Sequence, residues 1–183
     1  PANIELETVF EQAPAVASRI NDFFGNLLQG IALVGVIIFL FLVISNSLIV
    51  MTIITTSIIA AIYFLDLSGF ALQQISIAGL VIALGLLVDN GIVVVENINR
   101  FLKEGADLKT AAIEGTAEVG WALVSATATT ILSFFPMTQL GGGTGAFIQT
   151  MPLIVIFSLV SSLVLALGFT PLLAGILLKL PKK

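Results

Sequence analysis

The sequence predicts an all-α membrane protein: a bundle of five transmembrane helices with a short amphipathic cytoplasmic helix. Three observations lead there. Of 183 residues, 58% are hydrophobic and only 10% are charged, whereas soluble domains carry about 25% charged residues. With a mean hydropathy of +1.15, the chain cannot cover itself with a water-soluble surface. Second, five stretches approach or exceed the roughly 20 apolar residues that cross the hydrocarbon core as a helix. Third, these stretches are continuously apolar. A lipid-embedded barrel needs short segments alternating polar and apolar, so helices are the remaining way to satisfy the backbone.

The elements follow in order. Residues 3–10 (NIELETVF) alternate like a short strand. From Ala15 onward, Val16, Ile20, Phe23, Phe24 and Leu27 recur at helical spacing, so a helical lead-in over 13–24 runs into the first span. The spans are expected at about 25–44, 48–65, 75–98, 121–140 and 151–178. An uncharged turn, Ser45-Asn46-Ser47, closes the first, and Asp66-Leu67-Ser68-Gly69 ends the second. Between the third and fourth, Asp107 caps a short helix 108–118 whose Ala111, Ala112 and Ile113 suit a membrane surface; a solvated connector is its plainer reading. Pro136, Pro152 and Pro171 begin or kink apolar helices. The chain opens on Pro1 with no signal-peptide pattern, and is expected to be a segment of a longer protein.

Basic residues set the orientation. Alternating the spans puts Arg100, Lys103, Lys109, Lys179, Lys182 and Lys183 on one side and Arg19 alone on the other. The richer side is expected to be cytoplasmic, leaving the N-terminus, the Asp66 turn and the glycine loop at 141–145 outside. The formal charge of −4 carries less information than this placement. The absence of Cys and His removes disulfides, thiolate sites and imidazole chemistry, so proton chemistry falls to carboxylates. Membrane lipid is the expected surrounding, and nothing points to a cofactor, a metal or a nucleic-acid partner.

The third span, ISIAGLVIALGLLVDNGIVVVENINRF, carries the chemistry. Asp89 lies roughly 21 Å from Ile75 and roughly 14 Å from Ile98 along a helix rising 1.5 Å per residue. An aspartate at a helix centre costs about 2.5–3.5 kcal/mol on insertion scales, and the nearest cation in its own helix, Arg100, is eleven positions away. Asn90-Gly91 would signal a hairpin in water. In lipid it would leave two open strand edges, so the helix is retained. Asp89 has two readings. As a structural carboxylate it would accept hydrogen bonds from the next span, where Ser125, Thr127, Thr129 and Thr130 are candidates. As a proton carrier it would be loaded when desolvated and discharged when a cation approaches; intramembrane acids are functional by default. Asn90 is its neutral neighbour. Glu96 lies about 10 Å further along the same face and is either an anchor paired with Arg100 at i+4 or part of a cytoplasmic proton path. The Gly141–Gly145 run follows a helix and lacks the Lys-Ser/Thr ending of a phosphate loop, so it is read as a flexible outer turn.

GLVIALGLLVDNGIVVVENINR closely resembles the signature of the fourth membrane helix of resistance-nodulation-division (RND) efflux transporters. IALVGVIIFLFL and SNSLIV are similar to that family's second helix and the start of its third. EGADLKTAAIEG, SATATTILSFFPM, GGGTGAF and SSLVLALGFTPLLAGIL follow in the family's order to its sixth helix, and NIELETVFEQ resembles the strand leaving the periplasmic porter domain. The resemblance implies an inner-membrane, proton-driven exporter of small hydrophobic or amphiphilic compounds. It also implies that residues 1–12 end a porter strand and 25–183 form the second to sixth helices of the first half. The implied partners are a second half supplying a basic residue, a homotrimer, a periplasmic adaptor and an outer-membrane channel. Many drug exporters of this kind have two adjacent aspartates where this chain has Asp89 and Asn90. Members with a single acid include metal-ion exporters, which keeps that reading open beside drug export. The five-helix extent is also similar to a sterol-sensing domain, a lipid-responsive and non-transporting alternative.

Overall fold

The computed structural model of the chain describes residues 12–42 and 44–177. The strand-like residues 3–10 and the basic tail lie outside them. Helices α1 (Gln12–Phe41), α2 (Ile44–Leu67), α3 (Gln74–Lys103), α4 (Leu108–Phe134), α5 (Gly142–Ile148) and α6 (Thr150–Leu177) follow one another, with a 3-10 turn at Phe135–Gln139. Among the described residues there is no strand. α2, α3, α6 and the segment Leu108–Gln139 are each long and apolar enough to cross a membrane, while the apolar part of α1, Gly25–Leu40, is shorter.

Four boundaries differ from expectation, each for a local reason. Ser45-Asn46-Ser47 is the first turn of α2, not an exposed turn. Asn46 and Ser47 are buried, and the Ser47 hydroxyl donates at 3.3 Å to the Ile38 carbonyl, which also accepts from the Leu42 N–H at 2.8 Å. The connector 108–118 and the fourth span are one helix, because Gly120 alone is too weak a breaker to divide it. Asp107 does cap it, accepting from the Thr110 backbone N–H at 3.2 Å. Hydrogen bonds from the Thr110 side chain and then its backbone hold the Asp107 carboxyl below its ordinary range. The fourth span then tightens into the 3-10 turn where Pro136 removes a backbone donor. Finally, the glycine run is not a bare turn, since Gly142 opens α5.

α2 and α3 both end in Schellman motifs. In the first, Phe70 N–H donates to Leu65 O at 3.2 Å and Gly69 N–H to Asp66 O at 2.9 Å. Gly69, at φ +81°, takes the left-handed position that such a cap requires. Gly105 (φ +98°) does the same for α3, with Ala106 donating to Phe101 O.

α6 packs against α2, α3 and α4, and α1 lies against α2 and α3. Ile49, Ile53, Leu80, Leu87, Ile98 and Ile154 are sealed inside, while Leu40, Trp121 and Ile176 face outward with more than three-quarters of their surface open. An apolar exterior over an apolar interior is the arrangement that lipid requires. Several hydroxyls along the helices are satisfied locally: Thr52, Ser57, Ser125, Thr129, Thr130 and Ser158 each donate to the carbonyl four residues earlier.

Candidate functional site

α3 stays helical through Asn90-Gly91, so residues 89 and 90 project about 100° apart. That rotation separates their fates. Asn90 points into the bundle and is buried. Its Nδ2 donates to the Ser162 hydroxyl at 3.4 Å, its Oδ1 accepts from the Thr127 hydroxyl at 3.5 Å, and Ser162 donates onward to Leu87 O at 3.3 Å. These are long bonds, but together they tie the middle of α3 to both α4 and α6.

Asp89 points the other way. It is exposed on this chain and lines a groove of about 390 Å³ between α1 and α3, with Val34, Ile37, Ile38 and Leu42 on one wall and Gly85, Val88 and Ile92 on the other. An added Cβ at Gly85 would meet nothing within 4 Å, so the groove stays open one turn before the carboxylate. Among the described residues no side chain donates to Asp89 or pairs with it. The expected partnership with the α4 hydroxyls is therefore corrected. Ser125, Thr129 and Thr130 are occupied by their own helix, and Thr127 meets Asn90 instead.

The expected Glu96–Arg100 pair is corrected as well. The Arg100 guanidinium bonds Glu104 at 3.1 Å, Glu118, and the Asn97 Oδ1 at 3.0 Å. Asn97 also donates to Gly115 O at 2.7 Å and to Glu118 at 2.9 Å. Glu118 reaches this cluster because Gly115 brings α4 against α3: a Cβ there would sit 3.1 Å from the Ile98 Cα. Glu96 is left exposed in a groove of about 460 Å³ with Val93, Asn97, Arg100, Lys103 and Val119. Asp89, Val93, Glu96 and Arg100 share one open stripe at spacings of three and four along α3.

Sequence reasoning missed Ser162 and Glu118. The first had a signal, the Ser161-Ser162 pair inside an otherwise apolar run. The second had only an acid eighteen positions from Arg100, which no helical spacing connects.

Long apolar helices and a mid-helix acid with no partner among the described residues define a multi-pass membrane protein of all-α type. The chain belongs to the AcrB/AcrD/AcrF family, whose pattern matches residues 1–183, and thus to the RND permeases. It is 32% identical over its full length to Multidrug resistance protein MdtC of Escherichia coli O139:H28 (strain E24377A / ETEC), and covers 18% of that protein. The corresponding proteins of Enterobacter sp. (strain 638) and Citrobacter koseri are 32% and 31% identical over the same extent. The chain thus spans about 18% of the length of the curated relatives it matches.

Proposed function

We propose that this bundle is the proton-relay half of a proton-driven RND pump that exports small hydrophobic or amphiphilic compounds, with Asp89 as the proton carrier. The observation that carries the reading is the position of Asp89: mid-helix, in an apolar groove, facing outward from its own bundle with no partner among the described residues. A structural carboxylate would be expected to turn inward to the hydroxyls of α4 and α6, which is what Asn90 does. The relatives' name, Multidrug resistance protein, supports export as the activity.

In this mechanism a second half of the protein, docked on the open stripe of α3, brings a basic side chain to Asp89. Proton binding releases that cation and proton loss recaptures it, so the two halves alternate between two packings. One proton crossing 100 mV supplies about 2.3 kcal/mol, with about 1.4 kcal/mol more per unit of pH difference. That biases a two-state equilibrium by well over tenfold. Asn90 keeps its bonds throughout and fixes the rotation of α3. Glu96, two turns nearer the basic end on the same stripe, passes the proton to the cytoplasm. The first turns of α1 form a periplasmic lead-in and the described residues from Gly25 to Leu177 form the membrane bundle; the porter-strand reading of residues 1–12 falls almost wholly outside the described residues. The whole protein works as a homotrimer with an adaptor and an outer-membrane channel.

The test is Asp89→Asn in the full-length protein. Because the side chain is exposed and makes no bond among the described residues, the variant should insert and fold normally yet lose proton-dependent efflux by at least tenfold. Efflux persisting at the parental rate would overturn the assignment. A second reading, export of metal ions, rests on Asn90 standing where a second acid would be. Loss of metal tolerance with unchanged drug tolerance in a deletion strain would select it.

A further inference from the structure

At the end of the bundle opposite the Arg100 cluster, the C-terminus of α2 and the turn after it enclose a pocket of about 370 Å³. It is lined by Ile59, Ile62, Tyr63, Leu65, Asp66, Phe70 and Leu72. That volume falls within the range of small-molecule sites, about 300–1,000 Å³. The Schellman motif builds it. The Phe70-to-Leu65 and Gly69-to-Asp66 backbone bonds fold the chain back, bringing Phe70 over Leu65 in the hydrophobic contact that goes with this cap. Leu65 is fully buried as the floor. Tyr63 is 62% exposed at the rim, and its ring stands edge-on to Phe64 with centroids 5.9 Å apart. Phe64 in turn leans on Phe157 of α6 at 6.1 Å, so the phenol belongs to a packed aromatic row.

Asp66 supplies the charge. It is exposed, and among the described residues no side chain donates to it or pairs with it. Every Lys and Arg whose side chain is described lies at the other end of the bundle. An aliphatic floor, an open aromatic face and one uncompensated carboxylate are the elements that recognise an organic cation.

We infer that this pocket binds a small lipophilic monocation, held by the Tyr63 ring and the Asp66 carboxylate. A zwitterionic lipid headgroup fits less well, because its phosphate would face Asp66 with no cation among the described side chains to receive it. The inference is independent of the proton relay, which lies at mid-span on α3. Tyr63 could also serve only as an interfacial anchor, and the experiment separates the two roles.

The full-length protein, on a cysteine-free background in phosphatidylglycerol nanodiscs, carries Leu72→Cys at the pocket wall. The rate of maleimide labelling is then measured with tetraphenylphosphonium, with neutral triphenylphosphine oxide, and with phosphatidylethanolamine replacing phosphatidylglycerol. Tetraphenylphosphonium should slow labelling at least threefold and the neutral compound should not. Asp66→Asn should abolish the protection, and Tyr63→Leu should weaken it, with circular dichroism and size-exclusion profiles unchanged in both. The proposal is overturned if no protection is seen, if Asp66→Asn leaves it intact, or if the neutral compound protects equally. It also falls if phosphatidylethanolamine alone protects, since the occupant would then be lipid.

Discussion

Asp89 and Asn90 differ by one atom type at the side-chain terminus, yet α3 assigns them opposite tasks. An amide inside the bundle can donate to Ser162 while accepting from Thr127; an ionised carboxylate could only accept, and would leave the Ser162 hydroxyl competing as a donor. Interhelical hydrogen bonds in membranes contribute about 0.6 kcal/mol on average and up to about 1.7. Asn90→Ala should therefore lower stability by about 0.6–1.7 kcal/mol, measured by unfolding in mixed micelles, with Asp89→Asn unchanged in the same assay. Equal losses in both variants would mean that Asp89 is structural after all. The position of Asp89 along its helix was legible in the sequence, because it follows from rise per residue. Its direction was not. A helix apolar nearly all round has no polar face to set its rotation, so spacing alone could not show that Thr127 meets Asn90 and not Asp89. The rotation comes from tertiary contacts, Ser162 above all, and sequence spacing does not encode those.

The helices themselves were largely legible, since a run of apolar residues in lipid has few alternatives to being helical. The errors fell where polar residues ended or joined elements: Ser45–Ser47 and the 108–121 junction read as breaks, although their polar groups are satisfied within helices. Close packing between elements was visible only as a scatter of glycines, without indicating which ones mattered. At Gly79 an added Cβ would lie 2.6 Å from the Ile154 Cγ2 and 2.8 Å from the Met151 carbonyl of α6. At Gly85, two turns on, it would meet nothing. Overpacking of this kind costs about 1–3 kcal/mol, whereas glycine to alanine at an open helical site gains up to about 1 kcal/mol. Gly79→Ala should thus destabilise the α3–α6 interface, and Gly85→Ala should be neutral or stabilising, by the same unfolding assay. Because Gly85 borders the Asp89 groove, its variant also tests function: a folded Gly85→Ala protein with reduced efflux would show that the open groove is needed for docking.

For the whole molecule, the two ends of the bundle differ in charge, and that difference predicts a direction in the membrane. Arg100, Lys103 and Lys109 cluster where α3 turns into α4, while the α2–α3 turn carries Asp66 and no base. The tail adds Lys179, Lys182 and Lys183 after α6, which runs toward the same end as the α3–α4 turn. Since Lys and Arg near span ends are retained on the cytoplasmic side, the Asp66 pocket should face the periplasm and the Arg100–Glu118 cluster the cytoplasm. The segment contains no cysteine, so single reporters are unambiguous within it once any cysteines elsewhere in the protein are removed. Ser68 and Glu104 are both exposed, one at each end. In spheroplasts, a membrane-impermeant maleimide should label Ser68→Cys and leave Glu104→Cys untouched; in inverted vesicles the pattern should reverse. The proposed relay depends on this direction, because Glu96 lies on the Arg100 side of Asp89 and serves as a cytoplasmic proton path only if that side is inside. Labelling of Glu104→Cys in intact spheroplasts would leave Asp89 at mid-span but turn Glu96 into a route from the outside, and proton movement through α3 would have to run the opposite way.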